Sequence, residues 1–310
     1  MAWIKAFGSY LPQRVVPNAE LEALAGVEPG WIVKASGIEE RRFAADGETV
    51  VDLALRAAQD CLAAAEMEPS QLGMLILASG SAERQFPGPA ASLAHRLGLS
   101  SAPALDLPVA SAGSLIAMSL ASRLADAHGH ILVVGAEIVS RVVLRPPVDR
   151  DTVILFGDGA GACLISPDAG LARILDYVLY TDGSFADSLR LDYRQPLAMD
   201  GRTVILQAAR KIPRAIQELL KRNSRSASEV QSFILHQANL NLILKVAQAL
   251  QVSESKFCAT VRRHGNTSSA SMLLAAAECW RDEALQPGLP VVFGAFGAGF
   301  HWGALLALPA

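Results

Sequence analysis

The chain has 310 residues, of which 51% are hydrophobic and 18% are charged, and its formal net charge is -3. This length suffices for one large α/β domain or for two fused halves. No run rich in Lys or Arg stands out, so we do not expect nucleic acid to bind through a phosphate-neutralising patch. No stretch reaches the ~18 uninterrupted apolar residues of a membrane span, so we expect no membrane-spanning segment.

The cysteines and the N-terminal segment both indicate a cytoplasmic protein. The N-terminal MAWIKAFGSYLP has no apolar core of signal-peptide length behind a basic start. The thiols show no CxxC or other metal-ligand spacing, so we expect no metal site and interpret them as buried small hydrophobes in a reducing compartment. The cysteines are Cys61, Cys163, Cys258 and Cys279.

The predicted elements, taken in chain order, follow the same sequence twice. A helical pattern over residues 50–65 precedes an apolar strand at 72–78, and helical spacing over 204–220 precedes a strand at 233–235. Each half then has a strand that enters a helix, with the helices beginning at AGSLIAM and ANLNLIL, and closes on a strand, a Gly-rich turn and another strand. Near-continuous apolar strands that alternate with helices predict an α/β fold with parallel or mixed sheets covered on both faces.

The repeat predicts two similar halves, over residues 1–167 and 168–310. In such sheets ligands bind at the carboxyl ends of strands, where turns lead into helices, and Ser111 and His236 both occupy that kind of position. The N-terminus of a helix favours negative charge by ~0.3–1 kcal/mol, which ionises a thiol but not an alcohol. A nucleophilic Ser111 therefore needs a general base. Taken alone, Ser111 fits a helix-capping serine better, and His236 fits a structural group.

Further candidate segments are weak when each is taken singly. The stretch RHGNTSSAS at 263–271 fits an ordinary polar loop, and the Gly-rich turn at 294–300 has N–H groups that could line an anion hole. The GDGAG segment at 157–161 lacks the GK[ST] ending of a phosphate loop and continues into a strand, so it does not predict a phosphate site.

The order of the motifs along the chain is far more specific than any one of them. HQAN at 236–239 is followed by GNTS at 265–268. Together they resemble the β-ketoacyl-acyl-carrier-protein synthase III family over nearly the whole chain. The motifs that carry the resemblance are WIVKASGIEERR, FPGPAA, ALDLPVASAGS, DRDTVILFGDGAGA, MDGRTV, HQANLNLI, RHGNTSSAS and AFGAGFHWG.

The resemblance implies a thiolase-like fold, in which two similar halves form a five-layered α-β-α-β-α core. It also implies a cytoplasmic homodimeric acyltransferase of fatty acid or polyketide biosynthesis. Its substrates would be acyl-CoA and acyl-carrier-protein thioesters, with no separate cofactor and no metal.

The family's Cys–His–Asn site falls on Ser111, His236 and Asn266. The first position accepts the acyl group, and the other two hold the malonyl thioester carbonyl while decarboxylation forms an enolate. The resemblance further implies an oxyanion hole made by the backbone N–H groups of Ser111 and Ala298. Trp31, Arg150 and Asn239 fall at CoA-binding positions. Phe86 matches a residue that reaches across the dimer into the partner's acyl pocket, and Phe156 a pocket-lining aromatic.

Several positions depart from the family pattern. Ser111 replaces the cysteine, Ala35 replaces an arginine that helps to hold CoA, and Asn241 replaces a basic residue at the entrance. Losing two cations weakens the recognition of phosphate-bearing donors. Ser114 stands where an aromatic is frequent, and Ala298 replaces a glycine, which requires backbone angles that suit an L-residue.

These departures leave several hypotheses open. The first is a specialised acyltransferase or condensing enzyme that forms an acyl-O-serine at Ser111, with His236 as its base. The second is a Cys-to-Ser trapped form of an ordinary synthase III. The third is a non-catalytic partner subunit, and a non-condensing decarboxylase that works through His236 and Asn266 lies between these. Retention of that His–Asn pair argues against a pure scaffold.

Overall fold

A computed structural model of the chain describes residues 1–282 and 285–310. We number its strands and helices in chain order. The strands are β1 Ala2–Tyr10, β2 Arg14–Pro17, β3 Glu40–Phe43, β4 Leu72–Ala78, β5 Ala104–Leu107, β6 His130–Ile138, β7 Asp158–Ser166, β8 Ala172–Thr181, β9 Leu189–Arg190, β10 Ala198–Met199, β11 Ser232–Leu235, β12 Val291–Gly297 and β13 His301–Pro309. The helices are α1 Asn18–Ala25, α2 Trp31–Ser36, α3 Val50–Ala64, α4 Pro89–Arg96, α5 Gly113–His128, α6 Ser140–Val143, α7 Arg150–Val153, α8 Gly201–Arg222, α9 Leu240–Leu250, α10 Val261–His264 and α11 Ser271–Asp282.

Nine strands form one mixed sheet in the order β11-β12-β13-β8-β1-β7-β6-β4-β5. From β1 outwards, β7 and β6 pair antiparallel and β4 then pairs parallel to β6. From β8 outwards, β13 and β12 pair antiparallel and β11 then pairs parallel to β12. The two halves therefore repeat one strand pattern, and they join where β1 pairs with β8 over Ala2–Ile4.

Helices cover both faces of each half-sheet and produce five layers. Helix α3 packs outside β1, β6 and β7, whereas α8 packs outside β8, β12 and β13. Helices α5 and α11 lie between the half-sheets and contact strands of both. The predicted thiolase-like α/β fold is thus confirmed. The predicted domain boundary at 167/168 falls between β7 and β8, and the division into two domains stays a prediction.

One detail of the predicted repeat was wrong. The sequence paired the helix that begins at AGSLIAM, which is α5, with the helix that begins at ANLNLIL, which is α9. In the structure α5 leads into β6 and α11 leads into β12, the strand equivalent to β6. The two central helices α5 and α11 are therefore counterparts, while α9 packs outside against α8. The difference arose because the helix that directly follows β11, α9, corresponds to α4, which directly follows β4 and packs against α3 as α9 packs against α8.

The alternation of side chains along a strand explains why the central strands are apolar throughout. In β6, Leu132 and Val134 face the buried cluster that includes α3, while Ile131 and Val133 face the cluster around α5 and α11. Both faces of the strand are therefore buried, and the period-two alternation of a half-exposed strand is lost. No helix in the described ranges is both long and apolar enough to cross a bilayer.

Candidate active site

Ser111 lies in the turn between β5 and α5 with a left-handed backbone, at φ 62°. Only 7% of the residue is exposed. Helix α5 is capped by Ala112 without a side-chain hydrogen bond, and within 1–282 and 285–310 the Ser111 Oγ has no hydrogen-bond partner. Ser111 is therefore not the helix cap that its position alone suggested. A left-handed non-glycine residue costs on the order of 1–3 kcal/mol, and such strained residues cluster at active sites.

Gly297, the last residue of β12, lets the C-terminal half approach Ser111 closely. A Cβ at residue 297 would lie 2.9 Å from the Ser111 Cβ and 2.9 Å from the Ala112 backbone nitrogen, and it would overlap the Ala110 carbonyl oxygen. The strand end and the turn that carries Ser111 are therefore in direct backbone contact, which only glycine allows.

Replacing Gly297 with alanine should displace Ser111. Because the new methyl group meets backbone rather than a movable side chain, we expect a loss of about 1–3 kcal/mol in the free energy of unfolding. We also expect acyl transfer to fall at least about tenfold, since small misplacements of reacting groups are costly. Urea denaturation and a transfer assay on Gly297→Ala measure both. Gly183→Ala is the matched control, since its Cβ would meet no atom within 4 Å. Equal behaviour of the two variants would contradict the account.

The segment 266–271 fixes the orientation of the Asn266 amide. The Asn266 Oδ1 accepts a hydrogen bond of 2.9 Å from the Ser268 backbone N–H. The side-chain NH₂ is consequently the part of Asn266 available to a substrate, in a cavity that Asn266 lines together with His236. Ser268, like Ser111, has a left-handed φ, of 48°. The RHGNTSSAS stretch is therefore not an ordinary polar loop but an organiser of the site.

His236 follows β11 and is buried beside the same segment. Its Nδ1 lies 2.5 Å from the Oγ of Ser271, and that oxygen accepts a hydrogen bond of 3.1 Å from the Gln237 N–H. Burial lowers the pKa of His236 to about 4, and a hydrogen bond with the Ser268 backbone acts in the opposite direction. The imidazole is therefore neutral at neutral pH. So weak a base is poorly suited to remove the proton from a serine hydroxyl. The lowered pKa therefore favours His236 as a hydrogen-bond partner for a substrate oxygen.

The lowered pKa of His236 predicts a pH-dependent stability. Because the unfolded chain binds a proton near pH 6.5 and the folded chain only near pH 4, this contribution is fully present above pH 6.5 and is lost as the pH falls towards 4. We expect the free energy of unfolding to drop by about 3 kcal/mol across that window through His236 alone. Denaturation of the wild type and of His236→Gln at pH 4, 5, 6 and 7 measures it. An unchanged pH slope in the variant would contradict the assignment.

Glu137, at the end of β6, is a buried carboxylate that ties the site together. Its Oε1 accepts hydrogen bonds from the hydroxyls of Ser268 at 2.9 Å and Ser269 at 2.8 Å, and its Oε2 accepts one from Ser81 at 2.6 Å. The Ser268 Oγ in turn accepts the Ser111 backbone N–H at 3.0 Å. A hydrogen-bonded chain therefore runs from Glu137 through Ser268 to Ser111. Sequence reasoning missed Glu137, although a charge inside the apolar run HILVVGAEI was a signal.

The hydrogen bonds from Glu137 through Ser268 to Ser111 affect the predicted oxyanion hole. The Ser111 N–H is bound to Ser268 Oγ, so an acyl carbonyl would have to compete for it. Ala298 lines a cavity with Ser111, and its backbone lies outside the left-handed region, so the replacement of glycine is sterically compatible. The pairing of the two N–H groups on one oxygen stays a prediction.

Two cavities meet at Ser111. Cavity 1 has a volume of about 210 Å³ and includes Glu137 and Ala298 in its wall. Cavity 2 has a volume of about 80 Å³ and contains His236 and Asn266. Residues common to both walls are Ser111, Phe156 and Leu189. The structure thus brings Ser111 into contact with both spaces and places Phe156 between them.

The predicted CoA-binding residues are more dispersed. Asn239 lines cavity 2, but its Oδ1 accepts the Asn241 N–H and its Nδ2 donates to the Ala35 carbonyl at 3.3 Å. Asn241 donates to that same carbonyl at 3.0 Å, so the two asparagines tie α9 to the end of α2, the helix that begins at Trp31. Trp31 is half-buried against the core, and Arg150 is exposed beside Asp151. The CoA-binding roles of Trp31, Arg150 and Asn239 stay predictions.

Phe86 is not part of either cavity in the single chain. It is 84% exposed and lies in the connection between β4 and α4. A role in an acyl pocket therefore requires a second copy of the chain.

Comparison with known proteins gives the same assignment for the whole chain. The family models described as 3-oxoacyl-acyl-carrier-protein synthase III and its C-terminal part match residues 105–183 and 220–308. The chain is 38% identical to β-ketoacyl-acyl-carrier-protein synthase III 1 of Vibrio cholerae, covering 96% of both chains. The chain belongs to the β-ketoacyl-acyl-carrier-protein synthase III family. It is therefore a condensing enzyme of the transferase class.

Solved structures agree with that membership. The 3-oxoacyl-acyl-carrier-protein synthase III of Aquifex aeolicus superposes with a TM-score of 0.95 at 32% identity, covering 99% of this chain and all of that one. The priming β-ketosynthase of the R1128 polyketide biosynthetic pathway superposes with a TM-score of 0.92 at 30% identity, covering 100% and 96%. The synthase III family assignment thus rests on sequence and on architecture.

Proposed function

We propose that this synthase III is an acyltransferase that takes an acyl group from a CoA or carrier-protein thioester onto Ser111. The acyl group then passes to a carrier-bound malonyl unit by decarboxylative condensation, or to another specialised acceptor. The observation that carries the proposal is the Ser111 hydroxyl, which lacks a hydrogen-bond partner in the described chain and stands where two cavities meet. Synthases III and a polyketide-priming ketosynthase among the similar proteins support this chemistry.

The two cavities suggest a division of tasks. Cavity 1, with apolar side chains over much of its wall, suits the acyl chain. Cavity 2 presents His236 and the Asn266 amide, two groups that can hold the oxygen of a malonyl thioester while the enolate forms. An acyl oxyester is a weaker electrophile than a thioester, so we expect slow turnover.

A homodimer is part of the proposal. Strand β5 is an edge strand of the sheet, its residue Leu105 is 48% exposed, and Phe86 protrudes from the nearby connection. An unpaired edge is a natural template for pairing with a second chain. Sedimentation of the wild type should give a dimer, and Leu105→Lys should shift it towards monomer.

Intact-protein mass spectrometry with a panel of acyl-CoA thioesters tests the covalent step. We expect one acyl mass on the wild type and none on Ser111→Ala. Turnover without labelling at any chain length would refute an acyl-serine intermediate. Ser111→Cys addresses the trapped-form hypothesis, because a rise in condensation by orders of magnitude would indicate a site built for a thiol, and an unchanged rate an adapted serine.

A non-condensing decarboxylase is the second candidate, favoured by the placement of His236 and Asn266 together in cavity 2. It would release CO₂ from malonyl thioesters without forming a new carbon–carbon bond. Ser111→Ala separates the two functions. If the protein is a decarboxylase, Ser111→Ala still releases CO₂, and the wild type forms no β-ketoacyl product.

A further inference from the structure

His301, the first residue of β13, lies on the wall of cavity 1 that also includes Ser111 and Ala298. Its Nδ1 is 2.9 Å from the Oγ1 of Thr181, the residue directly opposite on β8. A Cβ at Gly299 would lie 2.6 Å from the His301 Nε2. The ring therefore pairs with a hydroxyl at Nδ1, and its Cδ2 lies nearest to the backbone of Gly299, next to Ala298.

The site described above lacks an effective general base for Ser111. Ser111 needs a base, and His236 is a poor one because burial lowers its pKa to about 4. His301 differs from His236 in its surroundings. It is only partly buried, and among the described residues its one side-chain hydrogen bond is with the neutral Thr181 hydroxyl.

Resting on the acyl-serine function proposed above, we infer that His301 is the general base that takes the proton from Ser111 through a water molecule in cavity 1. The Ser111 Oγ attacks the thioester carbonyl, the Oγ–C bond forms and the C–S bond breaks. The proton moves from Ser111 to the His301 Nε2 and then to the departing thiolate, which leaves as the free thiol. A cavity of about 210 Å³ has room for the water that links the two groups.

Thr181 acts as a positioning residue in this arrangement. In the tautomer that this role requires, the Thr181 hydroxyl accepts the Nδ1–H of His301, and the Nε2 lone pair can then accept the proton. The two histidines then serve different steps, with His301 at cavity 1 for acylation and His236 at cavity 2 for decarboxylation.

The test measures the rate of Ser111 acylation by quenched-flow mass spectrometry, in two nucleophile backgrounds. We expect His301→Gln to slow acylation by about 100-fold when residue 111 is serine. In the Ser111→Cys background the same substitution should cost less than about fivefold, because a thiol ionises without a strong base. Thr181→Val should give a smaller loss in the same direction. Imidazole added to His301→Ala should restore part of the rate, and His128→Gln on the surface is the matched control.

Two outcomes would overturn the role of His301. One is acylation at the wild-type rate in His301→Gln. The other is an equal slowing in the serine and thiol backgrounds, which would mean that His301 only supports the structure. If the wild type itself never acquires an acyl group, the acyl-serine function fails and this inference falls with it, so the two failures are distinguishable.

Discussion

Asn266→Asp should abolish the release of CO₂ from malonyl thioesters, with a loss of at least about 10³-fold. The substitution keeps the shape of the side chain, and one carboxylate oxygen still accepts the Ser268 N–H as Oδ1 does now. The other oxygen replaces the NH₂ donor, so a donor for the enolate becomes a negative charge beside it. Trapping of labelled CO₂ measures the effect.

The same variant contains its own control. Asn266 lies in cavity 2 and is not the residue that accepts the acyl group. Acylation of Ser111 by acyl-CoA should therefore continue in Asn266→Asp. CO₂ release at the normal rate would contradict the role of the amide. Loss of both reactions together with a lowered unfolding midpoint would show that Asn266 is needed for folding rather than for decarboxylation.

Glu137→Gln should have the largest effect on stability. The carboxylate is fully buried and accepts hydrogen bonds from serine hydroxyls and from the Gly80 and Ser269 backbone N–H groups. In the glutamine an NH₂ group replaces one carboxylate oxygen, so its hydrogens face donor groups. The buried donors that this oxygen served lose their acceptor. Each buried donor left without an acceptor typically costs about 1–3 kcal/mol.

Urea denaturation measures this loss, and Glu254→Gln on the surface is the matched control. Because Ser268 links Glu137 to the Ser111 N–H, acylation of Ser111 should also fall in Glu137→Gln. An unfolding midpoint equal to that of the control would contradict the structural role of the carboxylate.

The sequence was sufficient to predict the fold and the placement of Ser111 and His236. Both follow strands and precede helices, which is where ligands bind in such sheets. The strands β5 and β11 lie at opposite ends of the sheet, so the two residues meet because the half-sheets pack around α5 and α11. Strand periodicity also gave the repeat, although α9, the helix that follows β11, was paired with α5 and not with α4, the helix that follows β4.

What the sequence could not give depends on long-range contact. Glu137 and Ser268 are 131 residues apart, and nothing local to either indicates that they meet. The pKa of His236 is set by its burial, which appears only once α11 has packed beside β11. The role of Phe86 does not show in a single chain, because the acyl pocket that Phe86 is predicted to reach belongs to a second copy.

The inferred base for Ser111 also depends on long-range contact. Motif order alone assigned both activation and oxyanion binding to His236. Burial of that ring argues for the second task only, whereas His301, to which the AFGAGFHWG motif assigned no role, shares cavity 1 with Ser111. The distinction rests on which wall of the site each ring occupies.

The central claim is that Ser111 carries the acyl group during turnover. Rapid-quench mass spectrometry of the peptide that contains Ser111, during a single turnover with acyl-CoA and malonyl carrier protein, tests it most directly. We predict that acyl-Ser111 appears before product and decays as fast as the β-ketoacyl product, or the transferred acyl group, forms. Product that accumulates with no acyl-Ser111, or an acyl-Ser111 that decays more slowly than turnover, would contradict the account.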